Sequence, residues 1–192
     1  MDYKERVKLS KLLSFILRHN PAFLDISLDS EGFSDIGIGE LAARIRNLRG
    51  FGWVMPEDIL RVVEMDEKGR FEVKDGRIRA TYGHSVEVMP KYEKVNEAPR
   101  LFHGTTKKAW QRIKRNGLLP LGRKFVHLTT KLREALDVAK RHGKDLILLE
   151  VDGNSMIGDG LILWKASDAI YLAKKVPPKY LKEVSSETLS EM

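Results

Sequence analysis

The sequence predicts an α+β protein of two domains, on the basis of three observations. Residues 1–90 show helical periodicity followed by two short strands, and residues 100–192 alternate strands with helices. Residues 91–99 are rich in charge, end in proline and lack periodicity, so we interpret them as a linker. A chain of 192 residues is long enough for each domain to bury a core of its own.

The first domain is predicted to be mainly helical. Its elements are a helix at 4–20, a strand at 26–28, helices at 38–46 and 56–64, and strands at 70–73 and 77–82. The first helix must end before Pro21, because proline disfavours helical geometry in the preceding residue. Asp75-Gly76 is a strong hairpin signal between the last two strands. Helices followed by a hairpin favour a winged-helix module, a fold that does not by itself determine function.

The second domain is predicted to contain two helices among several strands. Its elements are a strand at 101–102, a helix at 107–116, a strand at 125–129, a helix at 131–142, strands at 146–151, 161–164 and 170–172, and an extended segment at 176–181. Thr106 and Gly117 are expected to begin and end the first helix, and Thr130 and Gly143 the second. The polar tail after Glu183 is expected to be loose.

Composition restricts the class of protein. Apolar residues make up 42% of the chain and charged residues 32%, which is typical of a soluble globular protein, and no segment reads as a membrane span or a signal peptide. We therefore expect a cytoplasmic protein, most simply a monomer, without a membrane partner. The absence of cysteine excludes disulfides and thiolate chemistry. The net charge of +7 favours a polyanionic partner such as RNA, although a charge-rich surface also fits heat adaptation.

A polar cluster at His103, Gly104 and Thr105 lies between a strand and an amphipathic helix. Gly104 has no Cβ, so a ligand could approach the main chain there, and its two neighbours offer polar side chains. A strand, a glycine turn and a helix N-terminus together favour a phosphate or nucleotide site. A tripeptide of this kind in a turn is also compatible with a purely structural role.

Each of the five histidines lies in a short polar cluster. They are His19, His84, His103, His127 and His142. No two of them have the spacing that brings a pair of imidazoles onto one zinc ion, so no metal is expected. No Ser/His/Asp order, P-loop or dinucleotide glycine fingerprint is present, which argues against hydrolase and kinase functions.

Two arginines could serve either function or structure. Arg18, with His19 beside it, falls at the end of the first helix, where cations interact favourably with the helix dipole. Arg79 alternates with apolar residues on a strand, so it could face a partner or be one of many solvated surface arginines. The residues alone leave both readings open.

Taken together, six motifs closely resemble the NAD-dependent RNA 2'-phosphotransferase family, which acts in tRNA splicing. The motifs are Leu17-Arg18-His19-Asn20-Pro21, Ile78-Arg79-Ala80 with Gly83-His84-Ser85, Phe102-His103-Gly104-Thr105, Arg123 with Val126-His127-Leu128, Arg141-His142-Gly143 and Val176-Pro177-Pro178. They span nearly the whole chain in the family's order. The resemblance implies a winged-helix RNA-binding lobe followed by an NAD-binding lobe of the ADP-ribosyltransferase fold.

The resemblance also implies roles for particular residues. The catalytic set falls on Arg18, His19, Arg79 and Arg123. Contacts to the RNA fall on Gly83, His84 and Ser85. Contacts to NAD, which is consumed rather than retained, fall on His103, Gly104, Thr105, His127, Thr129, Arg141 and His142. Val176 is a candidate for the third position of the transferase motif, and Tyr82 and Ala166 depart from the more polar residues expected at their places.

The chemistry implied by the family explains these residue types. The RNA 2'-phosphate attacks the nicotinamide-bearing ribose carbon of NAD, and nicotinamide leaves. The ribose 2''-hydroxyl then attacks that phosphate, releasing RNA and ADP-ribose 1'',2''-cyclic phosphate. Guanidinium groups bind phosphate oxygens in pairs and stay charged, and a histidine near neutrality can serve the second step, for which we assign His19 as a hypothesis.

Two alternatives remain. The same NAD-binding residues could serve an ADP-ribosyltransferase that modifies proteins or nucleic-acid ends. A winged-helix regulator that senses a nucleotide would need no turnover, but it leaves the placement of Arg18 and His19 beside Asn20-Pro21 unexplained.

Overall fold

The structure is a computed structural model that describes residues 1–184. The chain divides into two compact units, Met1–Lys91 and Tyr92–Met192. Both contain helices and strands, so the α+β class is confirmed. From residue 185 on, the tail predicted to be loose lies outside the described residues. No helix within residues 1–184 combines the length and apolarity needed to cross a membrane.

The N-terminal unit contains three α-helices and a short 3-10 helix in its described residues. These are α1 (Tyr3–Arg18), the 3-10 helix (Pro21–Leu24), α2 (Ile38–Arg46) and α3 (Pro56–Glu64). Asp2 caps α1 by accepting from the amide of Glu5, whose side chain bonds back to Asp2. The predicted bounds of α2 and α3 are confirmed, since their apolar spacing and the Pro56 start are local signals.

A two-stranded hairpin completes this unit. Strands β1 (Phe71–Lys74) and β2 (Arg77–Ala80) pair antiparallel around Asp75 and Gly76, both of which have positive φ, 50° and 71°. Two such residues match a type I′ turn, so the predicted hairpin is confirmed. The strand predicted at 26–28 is wrong, because Leu28 alone pairs, with Ser34, in an isolated bridge.

The C-terminal unit is built on a seven-stranded antiparallel sheet. The strands are β3 (Glu93–Lys94), β4 (Leu101–Thr106), β5 (Val126–Thr129), β6 (Leu146–Val151), β7 (Leu163–Lys165), β8 (Ile170–Ala173) and β9 (Leu181–Glu183). Their order across the sheet is β3-β7-β8-β5-β4-β6-β9. Strand β3 falls within the segment predicted as a linker and pairs with β7. Strands β4 and β5 are neighbours, which places two histidine motifs side by side.

Among residues 92–184, three α-helices accompany the sheet: α4 (Lys107–Asn116), α5 (Leu132–Lys140) and α6 (Gly153–Gly158). The prediction for α4 is confirmed, since Thr106 Oγ1 accepts from the amide of Ala109 and the helix ends at Gly117. The caps predicted for α5 are wrong. Thr130 does not cap it, and it stops at Lys140, before Gly143. Helix α6 was not predicted, because its glycines and serine carry little helical signal.

Near the end of the described chain, two elements differ from their predicted bounds, and both differences have local causes. Strand β7 begins two residues later than predicted, after a turn at Asp159 and Gly160. The segment predicted as extended at 176–181 instead contains a 3-10 turn, Pro178–Tyr180, before β9. Proline sets φ near the helical value, which favours such a turn.

Candidate active site

The first group of predicted site residues lies at the C-terminal end of α1. Leu13, Ile16 and Leu17 are fully buried and hold the helix against the core of the N-terminal unit. This packing fixes the rotation of the helix, so Arg18 and His19 leave it in defined directions. The prediction that this helix runs from residue 4 to 20 is wrong at its end, since α1 stops at Arg18 and Pro21 begins a 3-10 helix.

The segment Gly83-His84-Ser85 packs against this helix end. The amide of Ser85 donates to the carbonyl of Arg18 at 2.9 Å, and its Oγ lies 2.9 Å from Nδ1 of His19. The hydroxyl also lies 3.4 Å from the Arg18 carbonyl. The structure therefore brings Arg18, His19 and Ser85 together, although 66 residues separate His19 from Ser85.

Tyr82 supports the Arg18 side chain. The guanidinium carbon lies 4.8 Å from the centre of the tyrosine ring, and the Tyr82 hydroxyl donates to the carbonyl of Lys68 at 3.2 Å. A Cβ on Gly83 would stand 3.4 Å from Arg18 Nη1, and the φ of Gly83 is 86°. Glycine is required here by its backbone conformation and leaves room for the guanidinium. Tyr82, which departs from the polar residue that the resemblance leads one to expect, therefore contacts Arg18 directly.

His84 is a buried member of the same segment. Its side chain is 4% exposed, and its Nε2 would lie 3.3 Å from a Cβ added to Gly32. The loop at Gly32 therefore packs close to Nε2 of the His84 imidazole. The structure thus places the His84 side chain inside the unit rather than on its surface.

Arg79 on β2 is enclosed by carboxylates and an aromatic ring. Its Nε donates to Glu72 Oε2 at 2.7 Å, and its Nη1 donates to the carbonyl of Glu31 at 3.1 Å. The Glu31 carboxylate lies 3.6 Å away, and the ring of Phe33 is 4.5 Å from the guanidinium carbon. The side chain is only 14% exposed. Arg79 is therefore held in a fixed position and is not a freely solvated surface arginine.

In the C-terminal unit, His103 on β4 faces His127 on β5. Nδ1 of His103 lies 3.0 Å from the carbonyl oxygen of His127 and donates to it. Burial lowers the pKa of His103 below its ordinary 6.5, and the positive charges of His142 and Arg123 act in the same direction, while the bond to the carbonyl raises it. The ring is therefore neutral at pH 7, with its proton on Nδ1 and an acceptor at Nε2.

Arg123 and His142 lie near this ring, since their charges act on its pKa. Arg123 leaves a turn in which its amide donates to the carbonyl of Pro120, and its Nη1 is 3.5 Å from Nδ1 of His127. A guanidinium can only donate, so Nδ1 of His127 is the acceptor in this contact. One guanidinium and three imidazoles are thus gathered in one unit.

Gly104 differs from the prediction. It lies inside β4, paired with Leu148, rather than in a turn. A Cβ at this position would overlap the carbonyl oxygen of Ala135 in α5. The approach predicted for a ligand is closed on that side because α5 packs directly on the strand. The glycine is needed for helix packing, a reason that the sequence alone did not indicate.

The remaining predicted contacts are divided between buried and exposed positions. Thr105 and Thr129 are both buried. The Oγ1 of Thr129 accepts from the amide of Lys131 at 3.1 Å and donates to Glu134 at 3.2 Å, so it organises the start of α5. Arg141 follows the end of α5 and is exposed, as is His142.

Two further positions are structural. Val176 is fully buried and pairs with Leu118, so its side chain cannot touch a ligand in this conformation, which argues against it as the third motif position. The amide of Ala166 donates to the carbonyl of Ile170 at 2.9 Å. Its role is to connect β7 to β8 through the main chain.

Comparison with known proteins decides the family. The family model described as "RNA 2'-phosphotransferase, Tpt1 / KptA family" matches residues 4–175. The chain belongs to this family. A "Probable RNA 2'-phosphotransferase" of Pyrobaculum aerophilum is 40% identical over 184 residues, covering 96% of this chain and 84% of the relative. Relatives with the same description from Pyrococcus horikoshii and Methanosarcina barkeri are 38% and 33% identical, covering 90% and 94% of this chain and 95% and 85% of the relatives.

An RNA 2'-phosphotransferase acts on a phosphate group, which guanidinium groups are suited to bind. The described residues supply permanent cations at Arg18, Arg79 and Arg123, and an exposed imidazole at His19. Within residues 1–184, no cluster of three or more histidine, aspartate or glutamate side chains is placed to hold a metal ion.

Proposed function

We propose that this RNA 2'-phosphotransferase consumes NAD, as the resemblance of its motifs implies. An oxygen of the RNA 2'-phosphate attacks the ribose carbon that bears nicotinamide, and the bond to nicotinamide breaks. The 2''-hydroxyl of the same ribose then attacks the phosphorus, and the RNA 2'-oxygen leaves with a proton. The products are nicotinamide, RNA with a free 2'-hydroxyl and ADP-ribose 1'',2''-cyclic phosphate.

The arrangement of Arg18, His19 and Ser85 is the observation that carries the proposal. The nucleophile in the first step is already an anion, so it needs to be held rather than deprotonated. Arg18 is braced on the ring of Tyr82, and its planar guanidinium suits paired bonds to phosphate oxygens. A braced arginine loses less freedom on binding, which favours a precise grip on the 2'-phosphate.

His19 fits the second step. Both the incoming 2''-hydroxyl and the leaving 2'-oxygen exchange a proton there, so a side chain that titrates near neutrality is useful. Ser85 Oγ, 2.9 Å from Nδ1, orients the ring. Ser85 is therefore a positioning residue, and His19 is the proton-transfer candidate.

Arg79 and Arg123 supply further guanidinium groups for the phosphates of the two substrates. Arg79 already shares its charge with Glu72 and Glu31, so phosphate must compete with these carboxylates. Arg123 is exposed and contacts His127 through one nitrogen, which leaves the rest of its fork for a ligand. We infer that Arg123 makes the more adaptable of the two contacts.

The residues of the C-terminal unit suit NAD in charge and polarity. Arg123 can offset the charge of the pyrophosphate, His142 can donate a hydrogen bond to it, and the neutral ring of His103 offers an acceptor at Nε2. NAD supplies the electrophilic ribose carbon when bound. The residues of the chain bind it, orient it and hold the proton of His103 on Nδ1.

The test is incubation with NAD and an oligonucleotide that bears one internal 2'-phosphate. We expect nicotinamide, ADP-ribose cyclic phosphate and dephosphorylated RNA in equal amounts. The same oligonucleotide without the 2'-phosphate should release no nicotinamide. Release that does not depend on the 2'-phosphate would instead indicate an ADP-ribosyltransferase with another acceptor.

A further inference from the structure

A recess on the N-terminal unit has no part in the site described above. It encloses about 120 Å³, several times the space that one water molecule needs. Helices α1 and α3 form two of its sides, and the residue before β1 forms another. Its lining residues are Arg6, Val7, Ser10, Lys11, Val62 and Arg70.

The recess is positively charged. Three of its six lining residues are cationic, and none of them is acidic within the described part of the chain. Arg70 is held by Asp66, with Nε at 2.8 Å and Nη2 at 2.7 Å from one carboxylate oxygen. Arg6 donates to the carbonyl of Met65 at 3.4 Å. Because Asp66 offsets the charge of Arg70, the charges of Arg6 and Lys11 remain, and the recess favours an anion.

Ser10 points independently to a ligand. The residue is only 6% exposed, and its Oγ is buried without a hydrogen-bond partner in residues 1–184. A helical serine usually satisfies its hydroxyl on a carbonyl one turn earlier, and leaving it unpaired costs free energy. A serine hydroxyl turns among staggered positions about one bond, so it can reach a ligand in the recess that it lines.

The position of the recess along α1 connects it to Arg18. Lys11 and Arg18 are seven residues apart, which places them on the same face of α1, about 10 Å apart along the axis at 1.5 Å per residue. Lys11 is exposed. A polyanionic strand whose 2'-phosphate is bound by Arg18 can therefore follow the helix face to Lys11.

We propose that this recess binds a backbone phosphate of the RNA, next to the nucleotide that carries the 2'-phosphate. The proposal rests on the proposed function for the identity of the strand. Arg6 and Lys11 provide charge, Arg70 is a third donor braced by Asp66, and the Ser10 hydroxyl donates to a phosphate oxygen. The recess thereby sets the register of the RNA, a task that Arg18 alone does not accomplish.

The first test compares two variants that each remove one positive charge. Lys11→Gln lies in the recess, and Arg49→Gln replaces an exposed arginine of the same unit outside it. The affinity for a short single-stranded RNA without the 2'-phosphate is measured over a range of salt concentrations. Lys11→Gln should weaken binding about five- to tenfold at low salt and reduce the slope of log K against log salt by about 0.7, whereas Arg49→Gln should change affinity less than about twofold. Equal effects of the two variants would overturn the proposal.

Ser10→Ala provides a second, independent readout. Removing an unsatisfied hydroxyl should leave the melting temperature unchanged or raise it, yet weaken RNA binding several-fold. A variant that binds RNA as the parent does would overturn the role of Ser10, because no loss of folding could hide the effect.

Neutral methylphosphonate linkages then locate the phosphate. One linkage is placed at each position of the oligonucleotide in turn. At one position, the parent and Lys11→Gln should then bind the RNA with equal affinity. A difference in affinity that persists at every position would contradict the assignment. This binding assay needs neither NAD nor turnover. If turnover fails while Lys11→Gln still weakens RNA binding, the proposed function is refuted and the RNA-binding recess is supported. If turnover occurs but Lys11→Gln does not change RNA binding, only the proposal for the recess is refuted.

Discussion

In the N-terminal unit, the candidate residues come from parts of the chain that are far apart, since His19 and Ser85 are separated by 66 residues. In the C-terminal unit, the contact between His103 and His127 spans 24 residues and follows from the pairing of β4 with β5. The first cluster depends on the packing of a segment against a helix end. The second depends on the register between β4 and β5, so a change in the pairing of these two strands would disturb it.

The two clusters also differ in their chemistry. Arg18 and Arg79 keep a permanent charge and are braced by the rings of Tyr82 and Phe33. His103 is held neutral by burial and by the charges of Arg123 and His142. One unit thus contains arginines held in fixed positions, and the other contains a neutral imidazole near the guanidinium of Arg123. Four measurements test this contrast between the two units.

The largest effect is expected for Arg18→Ala. Removing a donor aimed at a transferring phosphate should lower kcat/KM for nicotinamide release by about 10²–10³-fold. Arg18→Lys should recover only a small part, because an ammonium lacks the paired donors of the guanidinium. Arg49→Ala removes an exposed arginine of the same unit and serves as the control. If Arg18→Ala and Arg49→Ala behave alike, charge in this unit is not organised for catalysis.

His19→Ala should affect the second step more than the first. We expect about 10²-fold slower resolution of the ADP-ribosylated RNA, which should accumulate in a single-turnover reaction followed on a gel. Ser85→Ala removes the partner of Nδ1 and should slow the same step about tenfold. Equal slowing of both steps by His19→Ala would show that the imidazole binds substrate without serving proton transfer.

Gly104→Ala tests how the C-terminal cluster is built. The new methyl group would overlap the Ala135 carbonyl, so β4 and α5 must separate, and the free energy of unfolding should fall by about 1–3 kcal/mol. Urea denaturation measures this. Gly158→Ala in the same unit, where a Cβ meets no atom within 4 Å, should be close to neutral. Retained stability in Gly104→Ala would mean that α5 is not packed tightly on the strand.

The smallest effect is a pH dependence of stability from His103. Its pKa is lowered on folding, so between that lowered value and 6.5 the unfolded chain binds more protons than the folded one. The contribution of neutral His103 to the free energy of unfolding is complete above about pH 6.5 and is lost as the pH falls below that value. His103→Asn keeps a donor for the His127 carbonyl but does not titrate. Urea midpoints at pH 7.5 and 5.5 should therefore differ less in the variant than in the parent, and an unchanged difference would exclude His103 as the source.

Local signals predicted much of the fold. The apolar spacing of α2, the proline that opens α3 and the Asp75-Gly76 turn act within a few residues, and the structure agrees with each of them. The errors are of another kind. The caps of α5 and the strand at 26–28 depend on what packs beside them, which no short window of sequence contains.

The same division applies to the candidate site. The family motifs identified which residues to consider, but not their surroundings. That Arg79 is paired with Glu72 and Glu31, and that Tyr82 lies beneath Arg18, follow from contacts between distant segments. Arg18 and His19 could be placed in advance, because Pro21 ends their helix by a local steric rule.

Periodicity, turn chemistry and the order of motifs are properties of the linear chain, so they sufficed to predict the α+β class, several helix bounds and the RNA 2'-phosphotransferase family. Three further features became visible only in the folded chain: α5 occupies the space beside Gly104, His103 is neutral, and Ser85 contacts His19. Packing, burial and charge act through space, and the residues responsible for these features lie far apart in the chain.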